Sequence, residues 1–394
     1  MSFDFTSVTD RSKSNAEKYT LRETLFQTED VLPMWVADMD IETPECIVEA
    51  VKRRASHPVY GYEEVPESAY DAQISWVKKR FNHDIKREWM FYSHSVVATI
   101  NTAIHAFTEP GDKIIVQTPI YPPFLKNVTR NGREVLRNPL LRSENGEYRF
   151  DFENLRAQID EKTKLLLLCS PHNPVGRVWR RDELEELAAI CVEHNIKVVA
   201  DEIHSDLVYA PNIHIPFASL SDAVANLTLT AIGPGKTFNT AGLAISTVVV
   251  KDEQMRQDFD DAYERIHFAQ GNVFAHAGFE AAYKEGEPWL EALLVHLQSN
   301  IEKLSALAKR HSDKIHFIPP EGTYLAWLDC SGLGLSSREL RRFFIEDAAL
   351  GLSPGISFGK EGKNYMRLNF AVPTPIMDDA IAQLDMALSD FDEY

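Results

Sequence analysis

Between residues 90 and 250 the chain alternates short, β-rich apolar runs with stretches of helical periodicity, and few architectures accommodate that alternation. Strand-like runs fall at 113–117, 165–169, 198–200, 227–232 and 246–250. Between two of them, 181–194 carries Leu184, Leu187, Ala188 and Cys191 at the spacing of one helix face. Strands separated by helices imply an α/β fold: a mostly parallel central sheet with helices on both faces. In such sheets ligands gather at the carboxyl ends of the strands. From Pro288 onward, Leu290, Leu293, Leu294, Leu297, Ile301 and Leu304 share one side of a long helix that leads out of the sheet. The remainder of the chain reads as a smaller α/β domain: strands at 316–318, 323–329 and 366–371, a helix over 336–348 capped by Ser336 or Ser337, and a last helix over 374–390. A chain of 394 residues, 44% hydrophobic, can bury cores of that size.

A formal net charge of −18 sets the bulk field against nucleic acid and anionic membranes, so neither is expected as a partner. A phosphate or anionic substrate must be held by local donors. Cys46, Cys169, Cys191 and Cys330 form no C-x-x-C pair, which argues against a metal site and a disulfide framework. The apolar runs are strand-sized and the first residues show no signal segment, so a reducing cytoplasm is the expected compartment. Cys169 and Cys191 fall in strand-like and helix-like segments and are expected to be packing residues.

Three segments carry chemistry. Asp201 ends the run Val198-Val199-Ala200, Lys236 lies in Gly233-Pro234-Gly235-Lys236-Thr237-Phe238-Asn239, and Asn173 lies in Cys169-Ser170-Pro171-His172-Asn173-Pro174. Each sits where a strand gives way to a loop. A lysine amine, a carboxylate and an amide are what pyridoxal phosphate needs: a covalent anchor, an acid that keeps the ring nitrogen protonated, and a donor for the ring oxygen. Singly, each has an ordinary alternative as a solvated charge or turn residue. No P-loop, H-E-x-x-H, G-x-S-x-G or dinucleotide G-x-G-x-x-G motif competes.

In these segments the chain resembles the fold-type I pyridoxal-phosphate enzymes, and among them the cystathionine β-lyase-like C–S lyases, relatives of the class I and II aminotransferases. The resemblance runs almost end to end. The strings most specific to the lyase branch are Leu32-Pro33-Met34-Trp35-Val36-Ala37-Asp38-Met39-Asp40 and Glu202-Ile203-His204-Ser205-Asp206. It implies a large cofactor-binding domain over 46–287 and a small domain made of 1–45 and 288–394. Lys236 would anchor the cofactor and act as base, Asp201 would pair with the ring nitrogen, and Tyr121 would stack on the ring. Asn173 would donate to the ring oxygen, and Ser95, Val96 and Val97, at a helix start, would hold the phosphate.

Two departures from the family pattern concern that phosphate. Gly235 stands where a serine is common, so Gly233 and Gly235 would offer backbone N–H groups instead of a hydroxyl. Ser95 replaces a usual glycine and either supplies a hydroxyl or narrows the loop. His204 either approaches the ring or is an ordinary loop histidine. Arg367 would grip the substrate α-carboxylate, with Trp35, Ala37 and Asn173 bordering the substrate. Tyr62, in Tyr60-Gly61-Tyr62, would reach the phosphate of a neighbouring subunit, making a homodimer with shared sites.

The activity implied is cleavage of cystathionine or related S-substituted L-cysteines to thiol, pyruvate and ammonia. The alternative is aminotransfer between an amino acid and a 2-keto acid. A catalytically silent regulator ranks third, because the lysine, aspartate and arginine are intact.

Overall fold

The computed structural model describes residues 3–266 and 271–391. The main sheet has seven strands: β1 (Met90–Ser93), β2 (Lys113–Thr118), β3 (Glu134–Pro139), β4 (Thr163–Cys169), β5 (Lys197–Asp201), β6 (Thr228–Ile232) and β7 (Ser246–Val250). Their spatial order is β1-β7-β6-β5-β4-β2-β3. β2 to β6 pair in parallel, whereas β7 runs antiparallel to both β6 and β1. The sequence does not reveal that reversal, because every residue of β7 is buried and a run buried on both faces reads alike in either direction.

The pleat sends alternate residues of β4 to opposite sides. Leu165, Leu167 and Cys169 join one core cluster with Ile100 and Ile104 of α1 (Val96–Phe107) and Phe259 of the helix Glu253–Ile266. Leu166 and Leu168 join another with Leu184, Leu187 and Ala188 of the helix Arg181–Glu193. Burying each such leucine stabilises the fold by roughly 2 kcal/mol. The expected mostly parallel, doubly covered sheet is therefore present. Cys169 and Cys191 are buried among apolar neighbours, as expected for packing residues.

Beyond the sheet, α2 (Glu287–Arg310) buries Leu290, Leu293, Leu297, Ile301 and Leu304 along one face. A second sheet contains β8 (His316–Phe317), β9 (Leu325–Asp329), β10 (Ser353–Pro354) and β11 (Tyr365–Asn369) in the order β8-β9-β11-β10, with every pairing antiparallel. Between β9 and β10, α3 (Ser337–Glu346) opens on a capping box. The Ser336 hydroxyl accepts from the Glu339 N–H while the Glu339 carboxylate accepts from the Ser336 N–H. Leu32–Pro33 pairs in parallel with Leu350–Gly351 as a separate two-stranded sheet, the Asn369 N–H of the second sheet donates to the Met34 carbonyl, and residues 35–39 run on beside Lys236 and Asn239. One core cluster continues from Met34 and Met39 through Trp76, Phe238 and Phe279 to Leu325 and Leu368.

Candidate active site

At the carboxyl ends of β4 and β5, and against residues 35–37, lies a cavity of about 460 Å³. Asp201 is the last residue of β5, and Asn173 lies in the loop after β4. Lys236 sits in the short helical turn Pro234–Thr237 that follows β6, and Arg367 is the central residue of β11. All four line the cavity, as do Tyr121, His204, Gly235, Trp35 and Ala37. Ser95, Val96 and Val97 bring the start of α1 to the same space.

Burial controls the ionisation of these groups. It pushes the Asp201 carboxyl up to about 7, opposed by the Ile203 N–H, which donates to Oδ1 at 3.1 Å, and by the charge of Lys236. Burial also brings the Lys236 amine down to about 8, with the nearby Arg367 charge adding to the effect. Lys236 Nζ donates to the Ala37 carbonyl at 2.6 Å. The Arg367 guanidinium is lowered to about 10 by burial. Its Nη1 donates to Asn173 Oδ1 at 3.0 Å, its Nη2 donates to the Trp35 carbonyl at 2.7 Å, and its buried Nε has no hydrogen-bond partner among the described residues. Because Asn173 Oδ1 accepts from Arg367, the NH2 of the same amide is left for another acceptor. The His204 imidazole is held well below its ordinary value, first by burial and then by Lys236 and Arg367, so it is neutral at pH 7.

Residues 35–39 have no regular structure, yet each of their carbonyls accepts from a side chain. Trp35 accepts from Arg367 and Ser353, Val36 from Asn369, and Ala37 from both Lys236 and the Tyr324 hydroxyl. Asp38 accepts from Asn369 and Lys18, and Met39 from Asn239 and Arg11. Buried irregular backbone is costly unless its polar groups are paired, and this set of donors pairs them. Lys18 is fully buried and also contacts the Asp38 and Asp40 carboxylates at 3.0 and 2.9 Å; Arg11 closes the cluster at 2.7 and 2.6 Å. Sequence reasoning missed Lys18, Arg11, Tyr324 and Ser353. The available signal was the density of charge around 38–40 beside an apolar string, but nothing local named the partners.

Other expected site residues have different surroundings. Gly233 does not line the cavity; a Cβ there would lie 2.9 Å from the Ser246 Cα, so the glycine permits close approach of β7. Gly235 does line it, and a Cβ there would meet Ala241 at an ordinary 3.6 Å, so no steric reason excludes a serine. Ser95 caps α1, its hydroxyl accepting from the Ala98 N–H at 3.2 Å, which leaves the N–H groups of the first helical residues facing the cavity. Tyr62 lies outside the cavity of its own chain and is 99% exposed. In the lyase-branch string after Asp201, Glu202 and Asp206 are buried anchors. Glu202 accepts from the Phe217 N–H and contacts His214, while Asp206 accepts from Trp76 Nε1 and Thr237 Oγ1, next to Lys236.

The family described as aminotransferase class I and II matches residues 29–384. Cystathionine beta-lyase PatB of Bacillus subtilis (strain 168) is 39% identical, over 96% of this chain and 98% of that protein. A solved structure of a PLP-bound putative aminotransferase from Clostridium difficile 630 superposes with a TM-score of 0.96 at 41% identity, covering 98% of this chain and all of the other. A PLP-bound C–S lyase from Staphylococcus hominis gives 0.90 at 31% identity, covering 98% and 99% of the two chains.

The chain belongs to the class I and II aminotransferase family, with the fold-type I architecture and relatives among the cystathionine β-lyases. Its own donor set fits pyridoxal phosphate. A buried carboxylate at Asp201 has no bonded cation among the described residues and suits one, as a protonated ring nitrogen would supply. The N-terminus of α1 offers unpaired N–H groups to a phosphate. Arg367 is a buried guanidinium without a carboxylate partner among the described residues, suited to the anion of an amino acid.

Proposed function

We propose that this protein is a pyridoxal-phosphate-dependent C–S β-lyase that converts S-substituted L-cysteines, cystathionine included, and water to a thiol, pyruvate and ammonia. The observation that carries the reading is a half-buried amine, Lys236, set in one cavity with the buried carboxylate of Asp201 and the carboxylate-free guanidinium of Arg367. The lyase branch is favoured by the cavity wall at Trp35, Val36 and Ala37, which belongs to the string typical of that branch, and by the similarity to PatB.

The cofactor, when bound, supplies an electron sink conjugated to the substrate α-carbon. The Lys236 amine would anchor the group and would accept the substrate α-proton; an amine lowered to about 8 is partly neutral near neutral pH and can accept a proton. Asp201 holds the proton on the ring nitrogen. The Asn173 NH2 would donate to the ring oxygen, and Tyr121, which lines the same cavity, would hold the ring. Ser95, Val96, Val97 and Gly235 hold the phosphate through backbone N–H groups. Arg367 binds the substrate carboxylate through two N–H donors, one of them the unpaired Nε, and so orients Cα–H toward Lys236. His204 is neutral and packs edge-on against Tyr324, 5.8 Å between ring centroids, where it helps hold the Ala37 wall.

The same reading makes the protein a cytoplasmic homodimer in which Tyr62 enters the partner's phosphate site. It is supported by the nearly full exposure of Tyr62 beside exposed Val59 and Tyr60, and by cysteines that are all free. No described helix is long and apolar enough to cross a membrane. The division into 46–287 and 1–45 with 288–394 is supported by the pairing of Leu32–Pro33 with Leu350–Gly351.

The test is to supply cystathionine or S-methyl-L-cysteine to the purified protein and assay pyruvate and free thiol, with and without a 2-keto acid. Pyruvate and thiol without any keto acid are expected. If product forms only when the keto acid is present and the amino group appears on it, the protein is an aminotransferase.

A further inference from the structure

A second groove, about 940 Å³, meets the active-site cavity at Trp35, Ser353 and Ser357, which form walls of both. One side is α3, whose Arg338, Arg341, Arg342 and Ile345 follow the i, i+3, i+4, i+7 spacing of a single face. The carboxylates on the same helix are already engaged: Glu339 in the capping box with Ser336, and Glu346 at 3.7 Å from Arg342. Arg341 donates to the Leu25 carbonyl, and among the described residues neither Arg338 nor Arg341 has a carboxylate within ion-pair distance. In a chain of net charge −18, a row of three guanidiniums at the mouth of the active site is a local reversal of the field.

We infer that this groove is the subsite for the group carried on the substrate sulfur, and that it selects substituents ending in an anion, a carboxylate above all. This rests on the C–S lyase reading. Arg367 fixes the α-carboxylate in the cavity, so the sulfur substituent must leave by another wall. Trp35, Ser353 and Ser357 wall both spaces, so the arginine face of α3 lies on the far side of that boundary from the cavity. A flat indole beside two hydroxyls suits a thioether chain, and the exposed guanidiniums suit a carboxylate at its end.

The experiment uses the holoenzyme with matched S-alkyl-L-cysteines of several lengths, each made with a terminal carboxylate and with the corresponding primary amide. Affinity is read from the change in visible absorbance on binding, which needs no turnover, and kcat/KM from pyruvate. At low salt and the best length, the carboxylate is expected to bind roughly fivefold more tightly than the amide, with the preference fading as salt is raised. The triple variant R338Q/R341Q/R342Q, which keeps good helix formers in place, should abolish the preference while S-methyl-L-cysteine turnover stays unchanged. Equal affinity of acid and amide at every length, or a preference that survives in the triple variant, overturns the inference. Failure of both cystathionine and S-methyl-L-cysteine to yield pyruvate would instead remove the lyase reading, and the affinity comparison would still decide the role of the groove.

Discussion

The floor and the wall of the cavity are built by different means. The floor, with Asn173, Asp201 and Lys236, comes from consecutive turns at the ends of adjacent strands, all within about 65 residues of sequence. The wall, residues 35–39 and Arg367, is irregular backbone met by a strand 332 positions away, held by side chains from both ends of the chain. Floor groups gain their reactivity from burial at the carboxyl ends of the central strands. Wall groups gain only position, and that depends on paired carbonyls and a buried ionic cluster. Chemistry should therefore fail when the floor is altered, and affinity or stability when the wall is altered.

Lys236→Ala tests the floor most severely. Losing the anchor and the base together should lower kcat by roughly 10⁴-fold or more, and borohydride should no longer fix cofactor to the protein. Residual turnover within tenfold of the parent would place the reactive amine elsewhere. On the wall, Lys18→Met removes the buried cation between Asp38 and Asp40, and denaturant unfolding should show a loss of about 3–5 kcal/mol. If stability fell by less than about 1 kcal/mol, the ionic cluster would not be what fixes residues 35–39.

These two sites also mark the limit of what could be read from the sequence. Asp201 and Lys236 were legible because a β-rich run ends on a carboxylate and a glycine-flanked lysine comes after another, and the fold places such ends together. Lys18 was not legible: its partners lie 20 and 22 positions away in a segment without periodicity, and an isolated lysine reads as a surface charge. Gly233 and Gly235 read as one device for phosphate, but in space Gly233 makes room for β7 while Gly235 lines the cavity. At Ser95 the hydroxyl accepts from the Ala98 N–H, a helix cap that no composition rule supplies, and its own O–H is still able to donate to a phosphate. The antiparallel direction of β7 depended on pairing, which a fully apolar strand does not encode locally.

A smaller effect on the floor is expected from Asp201→Asn, which costs about 2–4 kcal/mol of transition-state stabilisation, measured as kcat/KM. The same variant has a pH signature without cofactor. The folded carboxyl titrates near 7 and the unfolded one near 3.8. Between those values the folded state holds a proton that the unfolded state has lost, so stability of the cofactor-free protein should fall as pH rises through that window. Asp201→Asn should flatten the slope in thermal melts, and an unchanged slope would assign it to another group.

Arg367→Lys should give the smallest change. It keeps the charge but loses the planar fork, so KM should rise by roughly 10-fold while kcat changes less. A loss confined to kcat would mean that Arg367 acts on the reacting atoms and not on the substrate carboxylate, and the distinction between floor and wall would collapse.

The pairing of Leu32–Pro33 with Leu350–Gly351 also has a consequence in time. A ribosome makes the first of these segments well before the second, and the clamps on residues 35–39 from Ser353, Arg367 and Asn369 emerge later still. At ordinary elongation rates the interval is roughly 15–65 s. During it the nascent main sheet can form and present Asp201 and Lys236, but the wall that orients substrate cannot close until Ser353, Arg367 and Asn369 have emerged. Activity is thereby withheld from any nascent chain that stops short of those residues.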